Sequence, residues 1–162
     1  MSMASKTGDI ILIRGRSWRS KLARLVLGVH WNHAMMIYYG DRFLELTKEG
    51  VKLQYPPTKG HHDWVILRVN SGEFEPLPSV LEDFINHAKF DHVRYVAWWL
   101  RIPFFKDLDR SNIWLMLCDE FVQHIYKAHH RYIDMRQIMR DPVVEMEILK
   151  KNRLNVIYDY RR

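Results

Sequence analysis

The chain has 162 residues, 48% of them hydrophobic, and a formal net charge of +6 at neutral pH. That length suits one well-buried domain and is short for two, and the apolar content excludes wholesale disorder. A single cysteine excludes an intramolecular disulfide and a multi-cysteine zinc site, and no apolar run approaches the roughly eighteen residues of a membrane span.

The first residues carry no apolar core of a secretory signal, so a cytoplasmic location is expected. The positive charge is compatible with nucleic acid, phospholipid or an acidic polymer, and selects none of them. No repeat, low-complexity tract or Gly/Ser linker interrupts the chain, so residues 1–162 are expected to form one domain.

Ile10-Ile11-Leu12-Ile13, set between Gly8-Asp9 and Gly15, reads as a buried strand. Ser17 can cap a helix over Trp18–Leu27, whose Trp18, Leu22, Leu25 and Val26 share one face. Arg16, Arg19, Lys21 and Arg24 make this segment basic. It could lie on an anionic surface, but a solvated surface helix is the stronger expectation. Gly28 ends it. Residues 34–39 are strand-like, Gly40-Asp41 makes a hairpin turn, and Arg42–Thr47 returns with Phe43 and Glu45 on one face. Strands over 51–55 and 64–69 complete a meander of about five.

The second half turns helical. Residues 79–90 place Val80, Phe84, Ile85 and Ala88 on one face. The aromatic-rich stretch 93–105 has no clear assignment, Ser111-Asn112 offers a cap or turn, and Leu154–Tyr160 fits a final strand. The pattern is α+β: a small antiparallel sheet or barrel of five to six strands packed against helices.

Residues 115–126 hold the only cysteine, Cys118. Phe121, Val122, Ile125 and Tyr126 follow it at helical spacing, which puts the thiol in the first turn, among free backbone N–H groups that favour thiolate. Asp119 and Glu120 oppose that with nearby negative charge. On this segment alone a buried structural cysteine is the stronger reading. A nucleophile also needs a base and an orienting acceptor. Of nine histidines, His33 stands out because it opens a strand directly after a loop. Glu45, on the next strand across the Gly40 turn, is its expected same-face neighbour. Trp31 could share a face with His33 and wall a cleft, or be an ordinary core aromatic.

Together, Gly8-Asp9-Ile10-Ile11-Leu12-Ile13-Arg14-Gly15, Asn32-His33-Ala34-Met35-Met36-Ile37-Tyr38-Tyr39-Gly40-Asp41, Leu44-Glu45-Leu46 and Cys118-Asp119-Glu120-Phe121-Val122 resemble the circularly permuted NlpC-type papain-like hydrolases, YiiX-like members included. In that group, which is related to the lecithin–retinol acyltransferase fold, the His strand precedes the Cys helix. The resemblance implies a permuted papain-like fold, Cys118 as nucleophile, His33 as base, Glu45 as orienting group, and no metal or cofactor. It implies a peptide, peptidoglycan-like or acyl-lipid substrate cleaved through an acyl-thioester. Two departures bear on the branch. Bacterial members commonly carry serine where Asp119 stands, and the acyltransferase branch usually has histidine where Glu45 stands.

A non-catalytic module binding anions through the basic segment is the rival reading, although no nucleic-acid motif is present. His61-His62 and His129-His130 lack the spacing that aims two ligands at one metal. If the site is closed to solvent, residues 101–112, with Pro103 and a charged run, are the expected lid.

Overall fold

The computed structural model describes residues 6–39, 42–55, 62–69, 78–99, 115–128, 133–140 and 154–160. In chain order the elements are β1 (Ile10–Gly15), α1 (Trp18–Leu27), β2 (His33–Tyr39), β3 (Arg42–Thr47), β4 (Gly50–Gln54), β5 (His62–Val69), α2 (Pro78–His87), β6 (Lys89–Phe90), α3 (His92–Trp99), β7 (Leu115–Met116), α4 (Cys118–Ala128), α5 (Met135–Arg140) and β8 (Leu154–Tyr160). The class is α+β. Six strands pair antiparallel in the order β4-β3-β2-β1-β5-β8, and β6 and β7 form a separate parallel pair.

Strands β1 to β4 make the expected meander, but β5 departs from it. It returns to the free edge of β1, and β8 pairs beyond it. The composition of β1 explains this. Ile10 and Leu12 are buried on one face and Ile11 and Ile13 on the other, as suits a central strand. Charge pins the β1–β5 register at both ends. Arg68 grips Asp9 through two bonds of 2.8 and 2.7 Å, and Arg14 and Arg16 both bond Asp63. Both aspartates are buried, so removing a partner would leave an uncompensated charge.

Leu12, Ala34, Met36, Leu44 and Leu46 join Phe121, Val122 and Ile125 of α4 in the main core. The opposite sheet face gathers Ile11, Ile13, Met35, Ile37, Phe43, Trp64 and Ile66. The buried Tyr126 hydroxyl donates to the Gly8 carbonyl, tying α4 to the approach of β1.

Several boundaries differ from the sequence expectation. The second helix stops at His87, and Lys89–Phe90 instead pairs with Leu115–Met116, a contact remote in sequence. The unassigned aromatic stretch supplies the helix His92–Trp99. The Gly40-Asp41 turn, the Ser111-Asn112 cap and the proposed lid at 101–112 lie outside the described residues.

Helix α1 has the expected ends. Ser17 accepts from the Ser20 N–H, and Gly28 closes the helix in the left-handed conformation at φ 65°, where glycine is unstrained. Its orientation is the surprise. Ala23 faces the protein, while Trp18 and Leu25 are 68% and 75% exposed. No described helix is long and apolar enough to cross a membrane.

Candidate active site

Three elements converge on Cys118. The parallel β6–β7 pair delivers residues 115–117 to the start of α4, with the Asp91 N–H bonded to the Met116 carbonyl. Glu120, three residues past Leu117, reaches back so that Oε2 accepts the Leu117 N–H at 3.1 Å. This is the glutamate half of a capping box. Its other oxygen accepts from Arg136 of α5 at 3.3 Å. Glu120 therefore fixes the helix turn that carries the thiol. Glu120→Ala should cost about 1 kcal/mol, within the range of capping losses, and lower the melting temperature by about 2–4 °C. Glu120→Gln, which keeps an acceptor oxygen, should lose less, and thermal melts followed by circular dichroism measure both.

His33 opens β2, and Asn32 holds the preceding loop by donating its N–H to the Ile13 carbonyl and accepting from the Gly15 N–H. Met36 lies opposite Leu44, so continuing that register puts Glu45 across from Met35, diagonal to His33 and on its face. His33 Nε2 meets Glu45 Oε1 at 2.8 Å. Cys118 lies beside the same ring, and both line one cavity. Burial disfavours a charged His33, but the bonds with Cys118 and Glu45 outweigh it and push its pKa up to about 10. The bond with His33 holds Glu45 below the usual carboxylate range despite partial burial. Cys118, His33 and Glu45 thus meet on the wall of one cavity. Cys118 is 9% exposed.

That exposure opens onto a cavity of about 530 Å³. Its apolar wall includes Leu27, Val29, Phe90, Val96, Leu117 and Met139, and Lys48, His92 and Arg140 add cationic or titratable groups. Tyr95 also lines it. Burial, then the charge of Cys118, raises the pKa of its hydroxyl. Asp119, beside the thiol, is 5% exposed and lines the same cavity. Burial, reinforced by Glu120, pushes its pKa up to about 6. A second cleft, about 350 Å³, meets His33 and Glu45 from the other side, against Ile13, Met35, Gln54 and Tyr55.

Trp31 does not wall either cleft. It is fully buried in the main core, where the carbonyl of Met139 accepts its N–H and holds the loop before His33. Its role is packing among the main-core side chains. Sequence singled out neither Tyr95 nor Arg136, and Glu120 only for its charge beside the thiol. Only Glu120 left a signal, the three-residue spacing from Leu117. Of the other histidines, His92 reaches the cavity, His61, His129 and His130 lie outside the described residues, and His87 bonds the Asp83 carbonyl. Among the described residues no three His, Cys, Asp or Glu side chains are grouped to hold a metal ion.

No family model and no curated protein matches the chain. Among solved structures it is similar to the metalloprotein yiiX of Escherichia coli O157:H7, at 20% identity with a TM-score of 0.45. The similarity covers 76% of this chain and 65% of that one, so the chain spans about two thirds of that protein's length.

Proposed function

We propose that the protein is a cysteine hydrolase with a permuted papain-like arrangement, cleaving an amide or ester through an acyl-thioester on Cys118. The observation that carries this reading is the meeting of Cys118 with the His33–Glu45 pair, with the thiol at the start of α4 and open to a cavity. Glu45 orients the ring and stabilises its charged form. The thiolate attacks the carbonyl carbon, and the developing oxyanion meets the Cys118 backbone N–H at the helix start. As the C–N or C–O bond breaks, His33 gives its proton to the leaving group. Water then attacks the thioester, giving a proton to His33, and the C–S bond breaks to release the acid and restore the Cys118 thiolate.

The apolar wall of Leu27, Val29, Phe90 and Val96 favours a second version of the same chemistry, in which the acyl group is a hydrocarbon chain and the acceptor is an amine or alcohol rather than water. A non-catalytic module would have no use for an imidazole oriented by a carboxylate beside a thiol.

Acyl p-nitrophenyl esters of increasing chain length test the reading. The expected result is a burst of p-nitrophenol and an acyl mass on Cys118, removed by hydroxylamine and absent from Cys118→Ala. Absence of any adduct across the series, together with undiminished ester turnover by Cys118→Ala, would reject it. Longer chains reacting faster would favour the hydrocarbon version.

A further inference from the structure

Helix α1 is built the wrong way round for a surface helix in water. Its small residue, Ala23, and its cavity-lining Leu27 face the protein. Trp18, Leu22 and Leu25, spaced four and three apart, form one stripe on the opposite side, and all three are exposed. The helical period sets Arg19 on one flank of this stripe and Lys21 on the other, and Arg19 also stacks over the Trp18 ring. The two other cations of the segment are engaged within the protein: Arg16 bonds Asp63, and Arg24 donates to the Gly15 carbonyl. Helix α3 packs against α1 and carries exposed apolar side chains of its own, Val93 at 63% and Val96, which also lines the cavity. Exposed Lys48 and Arg140 line that same cavity.

We propose that the outward face of α1, with the adjoining surface of α3, docks on an anionic phospholipid bilayer and so sets the cavity mouth against the membrane. An exposed tryptophan and leucines flanked by basic side chains match the acyl–headgroup boundary, where rings and alkyl groups sink in and cations meet phosphates. Nucleic acid would engage the cations but leave the apolar stripe in water. The inference needs no catalysis by Cys118, and its test leaves the reactive thiol out.

Cys118→Ala protein is sedimented at low salt with phosphatidylcholine vesicles, with and without phosphatidylglycerol. Binding is expected only with phosphatidylglycerol, weakening as salt is raised. Trp18→Ser with Leu25→Ser should weaken it at least about tenfold, as should Arg19→Glu with Lys21→Glu. Because these side chains are exposed, circular dichroism should be unchanged. Independently of any α1 variant, amide exchange in the vesicle-bound protein should slow over residues 18–27. No binding to anionic vesicles, binding undiminished by the apolar pair, or exchange in α1 unaltered by vesicles would each overturn the proposal, and displacement of vesicles by RNA at equal charge would assign the surface to nucleic acid instead.

Discussion

Replacing His33 by alanine should slow alkylation of Cys118 by iodoacetamide about a hundredfold at pH 6.5. An ordinary thiol with a pKa of about 8.5 is only about 1% ionised at that pH, and the thiolate is the reactive form. In the folded protein the His33 ring, its pKa pushed up to about 10 against burial by its bonds with Cys118 and Glu45, carries a positive charge at the thiol across the neutral range. Alanine removes that charge. Glu45→Gln should have a smaller effect, about tenfold, since it keeps an acceptor for Nε2 but drops the charge that favours imidazolium. His92→Ala is the control. His92 lines the same cavity, but it bonds the Lys48 carbonyl and packs edge-on against the Phe90 ring, so alkylation should change less than about twofold. Cys118 is the only cysteine, so intact-mass spectrometry reads the rate without ambiguity. A parent protein that alkylates no faster than its His33→Ala variant would remove His33 from the role of base.

The second large effect is on stability. Asp119→Asn should stabilise the protein above pH 6 by about 3 kcal/mol, or about 6–12 °C in melting temperature. The buried Asp119 carboxyl has its pKa raised from 3.8 to about 6, by burial first and by Glu120 second. A raised folded-state pKa means that the protonated form suits the fold. The associated stability is complete below about pH 3.8 and is lost as pH rises through about 6. Asparagine resembles the protonated form at every pH. The gain should therefore vanish near pH 4 and reach its full size by about pH 7. Thermal melts of both proteins across that range measure it, and a gain independent of pH would mean that ionisation of Asp119 is not its source. A charge kept beside the thiol at this cost suggests a task in the cavity, and the ester assay on Asp119→Asn shows whether activity falls as stability rises.

Much of this site was legible from local pattern. The period of two put His33 with Met35 and Glu45 with Phe43, so antiparallel pairing of β2 with β3 was enough to bring imidazole and carboxylate to one face. The spacing of Phe121, Val122, Ile125 and Tyr126 placed Cys118 at a helix start, and the structure has that helix begin at Cys118. Alternation and helical period are properties of a few neighbouring residues, so the sequence alone determined them.

What lies across from a face is another matter, and only the tertiary structure decided it. The return of β5 to β1 depends on which edge of a central strand is vacant, and the charges of Asp63 and Arg68 in β5 do not by themselves name their partners at Arg14, Arg16 and Asp9. Trp31 had two possible surroundings, cleft or core, and it packs in the core. The grip of Arg136 on Glu120 joins two helices whose pairing follows from packing rather than from spacing. Helix α1 makes the point most plainly. Its apolar stripe was readable from Trp18, Leu22 and Leu25, but periodicity is blind to direction. Ala23 on one side and the bonds of Arg24 to the end of β1 hold the helix so that the stripe faces outward.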